Sequence, residues 1–294
     1  MAPPADTRKS GLSNLQIRLI SAAVLLPLVT AAIYFGHPLF TLFIAIFAAA
    51  AAWEWARIVA NQKTPGQVTP VPSAPADRWG LPATLAVVAT GLAVLLAGFG
   101  GYAGLGLLAV AVGAITTFAS GVFKDAKLAA WQLLGIPYTA IPAMGLVVVR
   151  NDAEWGMASL LWIIALVVAA DTGGFIAGRS IGGPKLAPRI SPNKTWAGLG
   201  GAVAGAALVG LLTAFIVNHT NVWVLVLLSA ALGVVEQAGD LVESALKRHF
   251  GVKDASHIIP GHGGVLDRVD GLLAVAVAVL VIGEWTGRSV LTWS

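Results

Sequence analysis

The chain has 294 residues, of which 57% are hydrophobic and only 11% charged, with 18 basic and 14 acidic side chains, a net charge of +4 and no cysteine. Ordinary soluble domains are roughly a quarter charged, and a mean hydropathy of +0.83 leaves more apolar surface than one aqueous core can bury, so a water-soluble fold is excluded. The lack of cysteine excludes disulfides, thiolate catalysis and cysteine-ligated zinc, and the basic residues are spread along the chain, where anionic lipid headgroups attract them, which points to a bilayer and not to nucleic acid.

A helix crossing about 30 Å of hydrocarbon needs about 20 residues. Apolar runs of that order lie near 17–35, 39–60, 81–99, 102–120, 132–149, 155–171, 197–217, 222–239 and 271–288, which predicts an all-α, polytopic integral membrane protein of about nine transmembrane helices. The first run follows Arg8, Lys9 and Arg18; it is longer than the roughly 7–15 residues of a secretory signal core and is expected to stay as a helix. The second ends in Trp53-Glu54-Trp55, with tryptophans at the depth where they anchor in headgroups. An acid there is costly and needs a partner or a function. Residues 61–80, with Pro65, Pro70, Pro72 and Pro75, read as an extended spacer. Pro137 and Pro142 interrupt the fifth run, a kink that neighbouring helices must support. By the positive-inside rule, nine crossings from a cytoplasmic N-terminus put every one of the 18 basic residues except Arg150 and Arg288 on the cytoplasmic side and the C-terminus outside. That orientation is expected to place the charged helix ends on the cytoplasmic face.

Half of the 14 acids, namely Asp171, Glu236, Asp240, Glu243, Asp254, Asp267 and Asp270, fall between positions 171 and 270, at or near cytoplasmic helix ends. The chain therefore divides into N-terminal helices one to five (1–150) and a C-terminal catalytic region (151–294), whose cytoplasmic loops 172–196 and 241–270 are expected to roof one cleft. On the first loop Lys185 and Lys194 supply cations, and Ser191 or Asn193 is placed to cap the seventh helix. The glycine-rich stretch 198–205 permits close helix contact within the chain or across a homodimer. Asp240, Glu243, Ser244 and Lys247 recur at spacings of three and four and share one face of the eighth helix. Arg248 and Lys253 beyond it suit phosphate oxygens or a solvated surface, while His249 and His257 read as loop residues. Pro260-Gly261-His262-Gly263-Gly264 leads into the ninth helix; glycines admit close backbone approach and free amides at a helix start bind anions, although the Walker A spacing is absent. Asp267 and Asp270 share a helical face about 5–6 Å apart at Cβ. Two anions that close repel unless a cation lies beside them, and oxygen ligands that keep some waters suit Mg²⁺.

Ser244-x-x-Lys247-Arg248, Lys253-Asp254 and Pro260-Gly261-His262-Gly263-Gly264-x-x-Asp267-Arg268-x-Asp270 together resemble the signature of the phosphatidate cytidylyltransferases, the CDP-diacylglycerol synthases. Gln237-x-Gly239-Asp240-x-x-Glu243-Ser244, Asp171-Thr172-Gly173, Lys185-Leu186-Ala187-Pro188 and Ser191-Pro192-x-Lys194-Thr195-Trp196 resemble further motifs of that family. The likeness runs from about residue 165 to the end, while the first 130 residues match only in hydropathy and around Glu54. The chain departs from the family pattern at Gly174-Phe175, where a small residue and Tyr are common, and at Ser256, where Gly is frequent. The resemblance implies conversion of CTP and phosphatidic acid to CDP-diacylglycerol and pyrophosphate with Mg²⁺, and leaves a second ion such as K⁺ open. On that reading Asp267, Asp270, Asp240 and Asp171 hold metal, and Asp240, Glu243, Lys247, Arg248, Asp267, Arg268 and Asp270 carry the transfer. Lys185, Ser191, Lys194, Thr195, Ser244, Lys253, His262, Gly263 and Gly264 bind substrate. A CTP-dependent lipid or polyprenol kinase is the nearer alternative. A secondary transporter is the distant one, since transport sites favour the bilayer midplane and these acids cluster at helix ends.

Overall fold

The computed structural model describes residues 14–61, 68–100, 103–218, 221–287 and 289–292. Arg8, Lys9, Lys63, Pro65 and Arg288, which entered the orientation and spacer expectations, lie outside the described residues. The described chain is built of α1 (Asn14–Phe35), α2 (Leu39–Ala60), α3 (Ala76–Phe99), α4 (Ala103–Asn151), α5 (Gly156–Ser180), a short hairpin of β1 (Lys185–Ala187) and β2 (Ser191–Thr195), then α6 (Trp196–Val217), α7 (Val222–His249) and α8 (Leu266–Thr286). Seven of these helices, all but α8, are long and apolar enough to cross a membrane. α8 has a similar length but carries Asp267, Arg268, Asp270 and Glu284. An all-α polytopic membrane protein is the result.

The 49 residues of α4 would span about 70 Å at 1.5 Å per residue, more than twice the hydrocarbon thickness. They do not run straight: Asp125 leaves helical geometry at φ −154° and ψ 92°, and its carboxylate accepts the Leu128 amide at 2.9 Å, starting a new helix. The fourth and fifth apolar runs are the two arms. Helical φ/ψ continues through Pro137 and Pro142, so the corner of this element is made by Asp125 and not by the prolines.

α5 and α7 extend well past their apolar runs, to Ser180 and His249. The expected loops from 172 and from 241 therefore begin as helix, and Asp171 sits inside α5. Hydropathy marks where lipid contact stops, not where hydrogen-bonded helix stops. The polar end of α5 is held by α6 through backbone-to-backbone approach: a Cβ on Gly201 would run into the Gly173 carbonyl, and one on Gly205 into the Ala169 carbonyl. The glycine-rich stretch is thus used within the chain. β1 and β2 pair antiparallel, Lys185 opposite Thr195 and Ala187 opposite Ser191. Ser191 and Asn193 belong to β2, so neither caps α6; Thr195 does, its hydroxyl accepting the Gly198 amide at 3.0 Å.

The described part of the proline-rich segment is not a free spacer. Thr69 N–H donates to the Gly251 carbonyl at 2.9 Å, Lys253 N–H to Thr69 at 3.0 Å and Asp254 N–H to Pro70 at 2.8 Å, while Arg57 donates to the Pro72 carbonyl at 3.0 Å. Proline leaves carbonyls without a matching donor of its own, and the loop after α7 supplies the donors. Trp55 is likewise no interfacial anchor: it is 5% exposed, its ring lies 4.7 Å from that of Tyr138, and its N–H donates to the Trp131 carbonyl at 2.7 Å. That bond sets the Asp125 corner near the end of α2.

Candidate active site

Along α7, Glu236, Gln237, Asp240, Glu243, Ser244 and Lys247 stack one above another and meet the first turns of α8. Gly239 sets the approach of the two helices, since a Cβ there would stand 3.0 Å from the Asp270 carbonyl and 2.6 Å from Ala274 Cβ. Two lysines tie the acids together. Lys194 of β2 reaches Asp240 Oδ2 at 2.6 Å and Gln237 Oε1 at 2.9 Å. Lys247 reaches Asp267 Oδ1 at 2.6 Å and Glu243 Oε1 at 3.3 Å.

The first node continues outward. Gln237 Nε2 donates to Glu236 Oε2 at 2.8 Å, Ser244 Oγ donates to Asp240 Oδ1 at 3.2 Å, and the Asp171 and Glu236 carboxyls meet. Beside it lies a polar cavity of about 500 Å³ between α5, β2, α6 and α7, lined among others by Asp171, Phe175, Arg179, Asn193, Lys194 and Gln237. The Arg179 guanidinium stands 6.0 Å from the Phe175 ring, a loose cation–π pair. At the second node Glu243 is fully buried, and neither of its oxygens makes a well-formed hydrogen bond; the Asp270 carboxyl faces it.

The glycine-rich turn works differently from expectation. The amides from His262 to Leu266 are not free for an anion. His262 and Gly263 donate to the Ile259 carbonyl at 2.9 and 3.1 Å, Gly264 donates to Asp267 Oδ2 at 2.9 Å, and Val265 and Leu266 donate to the two Glu54 oxygens at 2.9 and 2.8 Å. Glu54, with no exposed surface, also accepts the Ser256 hydroxyl at 2.5 Å. It caps α8 from another helix, and its charge sits at the positive end of the helix dipole. Gly264 is needed for that, because a Cβ there would lie 2.7 Å from Glu54 Oε1. The departure at Ser256 supplies one of the three donors.

Of the residues expected at the site, Asp240, Glu243, Ser244, Lys247, Asp267, Asp270 and Lys194 come together, and Asp171 joins through Glu236. Both Asp267 oxygens are already engaged, Oδ2 also accepting the Ala255 amide at 2.9 Å. Thr195 is spent on the α6 cap. Arg248 turns to the Val252 carbonyl at 2.8 Å and braces the loop. Lys185, Lys253 and Arg268 are exposed, and His262 Nδ1 is buried without a hydrogen-bond partner. Among the described residues no three His, Asp or Glu side chains stand ready as a preformed metal centre. Sequence reasoning passed over Gln237 as a lysine acceptor and Phe175, Arg179 and Asn193 as cavity walls. Gln237, lying inside a quoted motif one residue after a buried acid, was the detectable one.

An apolar helical bundle whose one end gathers carboxylates, shared lysines and a polar cavity defines a membrane protein that handles a charged, phosphate-like ligand at the bilayer surface. The sequence pattern of the cytidylyltransferase family matches residues 16–285. The phosphatidate cytidylyltransferase of Brucella suis is 36% identical over 274 residues, covering 92% of this chain and 94% of that protein. That of Pseudomonas aeruginosa is 35% identical over 284 residues, covering 92% and 98%. That of Staphylococcus epidermidis is 43% identical over 148 residues, covering 50% and 56%. The chain belongs to the cytidylyltransferase family and is a nucleotidyltransferase.

Proposed function

We propose that the chain forms CDP-diacylglycerol and pyrophosphate from CTP and phosphatidic acid. The observation that carries this reading is Lys194 of β2 held on Asp240 and Gln237 of α7 at the edge of a polar cavity, with Lys247 of α7 joining Glu243 to Asp267 of α8. A phosphate monoester already bears between one and two negative charges near pH 7, so its oxygen attacks the α-phosphorus of CTP without a strong base, and the bond to pyrophosphate breaks. Two anions have to be brought together in line. Lys194, beside the cavity, and Arg268, at the start of α8, offset the charge of the nucleotide and of the lipid phosphate, and Lys247 holds Glu243 and Asp267 in place. Arg248 contributes by fixing the loop and not by touching phosphate.

Mg²⁺ fits the donor set on two grounds. Its donors are all carboxylate oxygens, and Glu243 is buried with no hydrogen bond to its oxygens beside the 3.3 Å ion pair to Lys247; Mg²⁺ needs only one or two carboxylates beside substrate phosphates and water. Asp240, Glu243 and Asp270 are the residues to hold it. When bound it supplies Lewis-acid charge neutralisation of the nucleotide phosphates.

The reading also takes nine crossings, with the N-terminus and the site on the cytoplasmic face of a bacterial inner membrane. The two-armed α4 supports this, because Lys124 and Lys127 flank its corner and Trp131 just beyond is bonded to Trp55 at the Glu54 end of α2. The test is incubation of purified protein with Mg²⁺, phosphatidic acid and CTP labelled at either the α- or the γ-phosphate. Label from the α-position is expected in a cytidine-bearing lipid, with γ-label in pyrophosphate. Transfer of γ-label to lipid would replace this reading by a lipid kinase.

A further inference from the structure

The proposal above says that a lipid phosphate reaches the acids of α7 and α8, and α1 shows where the rest of that lipid goes. Among the described elements α1 packs substantially against α2 alone, and most of its length is exposed. It is nevertheless pinned at both ends. Near its start Arg18 Nε donates to the Gly261 carbonyl at 2.9 Å and Ser21 Oγ to the Pro260 carbonyl at 2.7 Å. At its end Arg150 Nε donates to the Ile33 carbonyl at 2.8 Å and Arg150 Nη2 to Tyr34 at 3.2 Å.

Between the pins lie two adjoining cavities of about 410 and 280 Å³, sharing Leu25, Phe47, Ile259 and Val265 in their walls. They follow α1 from Ile20 to Ile33, about 20 Å of helix, and so exceed the depth of one leaflet, half of about 30 Å. The walls are apolar throughout except for Ser21, Thr139 and a single charged residue, Arg268. No carboxylate among the described residues lies within ion-pair distance of Arg268. On its own helix it stands between Asp267 and Asp270, so the one cation of the apolar space is also the point where that space joins the acid and lysine cluster.

We infer that the space beneath α1 is the acyl-chain site of the phosphatidic acid substrate, with Arg268 pairing its phosphate from the wall of the inner cavity. An occupant must match an apolar space of leaflet length and an unpaired cation in the wall of its inner cavity. A lipid with an anionic monoester does both, whereas a neutral or zwitterionic headgroup leaves the guanidinium without a net counter-charge, and a nucleotide does not enter apolar walls. The pins of α1 on Pro260 and Gly261, the turn that leads into α8, couple the filled channel to the helix that carries Asp267 and Asp270.

The inference rests on phosphatidic acid being the substrate, and the experiment separates the two. First, phosphatidic acid bearing a photoactivatable diazirine in mid-chain is crosslinked to the protein in phosphatidylcholine vesicles without CTP, and the labelled peptides are mapped. Label is expected in α1, α2 and α4, competed by unlabelled phosphatidic acid and reduced by Arg268→Gln. Label spread equally over α6 and α7, or competition by extra phosphatidylcholine alone, overturns the site whether or not transfer occurs. Second, Val29→Trp fills the channel from the loosely packed helix, with little risk to folding. For the dipalmitoyl substrate KM is expected to rise about tenfold, as for a crowded apolar pocket, while dihexanoyl phosphatidic acid and CTP keep theirs within about twofold. An equal change for both lipids, or none, with an unaltered melting temperature, refutes it. If the crosslink maps to α1 and no cytidine-bearing lipid forms, the site stands and the assigned reaction falls.

Discussion

Replacing Glu54 by alanine tests whether α8 is held from α2. The carboxylate accepts from Ser256 Oγ at 2.5 Å, Val265 N at 2.9 Å and Leu266 N at 2.8 Å and has no exposed surface. A helix cap contributes about 0.5–2 kcal/mol, and a buried donor left unpaired costs about 1–3 kcal/mol. Three donors lose their acceptor together, and the low figure for each already gives about 3 kcal/mol. At about 2 °C per kcal/mol for a chain of this size, the melting temperature in detergent falls by about 6 °C or more. Activity falls further, because Asp267, Arg268 and Asp270 ride on the first turns of the uncapped helix. Ser256→Gly, which removes one of the three donors to Glu54 and the hydroxyl that accepts the Ile258 amide at 3.0 Å, loses about 1.5 kcal/mol. Glu54→Gln falls between the two, since its amide nitrogen turns toward another donor. Differential scanning fluorimetry beside the labelled-CTP assay reads all three. A Glu54→Ala protein that melts within about 2 °C of the parent, a shift worth about 1 kcal/mol, and transfers cytidylate at the parental rate refutes the capping role.

Lys247→Met leaves Glu243 and Asp267 without their buried cation and is expected to lower stability by about 3–5 kcal/mol; adding Glu243→Leu recovers part of that loss, which chemical denaturation of both variants measures. Lys194→Gln acts at a part-exposed pair and changes stability by under about 1 kcal/mol, yet kcat/KM for CTP drops about 100-fold or more; a loss below tenfold would remove Lys194 from the transfer. Gly201→Val drives a side chain into the Gly173 carbonyl, so α5 and α6 separate at a cost of about 1–3 kcal/mol or more, seen as lost monodisperse elution in detergent.

How far these features were legible follows from the range of the contacts that make them. Each apolar run was readable because lipid exposure is a local property, and both arms of α4 were found although their corner at Asp125 was not. Helix ends were misjudged at Asp171 and Asp240 because polar turns survive there on tertiary contacts, such as Gly173 against Gly201, that hydropathy does not record. The α7 face of Asp240, Glu243, Ser244 and Lys247 is a matter of spacing and was seen; the lysine that completes it, Lys194, lies on a different element and its choice of Asp240 is a product of folding. Glu54 was marked as an acid in a costly place. Its partners stand 211 and 212 positions away, out of reach of any local pattern. The glycine turn shows the harder limit: amides at a helix start suit an anion, and sequence does not tell a phosphate from the protein's own carboxylate.

The balance of charge at the site yields a last prediction. Lys247 lies deep, with side-chain exposure of 11% against 0% for Glu243 and 7% for Asp267, so its pairs are fixed and structural. Lys194, which lines the cavity, and its partner Asp240 are more exposed, at 16% and 25%. Around these two lysines stand Asp171, Glu236, Asp240, Glu243, Asp267 and Asp270, so the cluster keeps an excess of negative charge even with Arg268 nearby. Two unit charges about 4 Å apart near a protein surface interact by about 4 kcal/mol, and a nucleotide triphosphate arriving bare meets that repulsion from more than one carboxylate. Lys194 cannot offset it alone while it also serves Asp240 and Gln237. The nucleotide must therefore bring positive charge with it, and Glu243, whose cation Lys247 stands 3.3 Å away and is shared with Asp267, is where such charge is lacking. CTP affinity, measured by calorimetry on protein without lipid substrate so that no turnover intervenes, is expected to weaken at least about tenfold, or 1.4 kcal/mol, when Mg²⁺ is replaced by EDTA. Asp270→Asn, which removes one negative charge beside Glu243, narrows that difference. Equal CTP affinity with and without the divalent ion would mean that the lysines and arginine suffice and that the carboxylates serve another purpose.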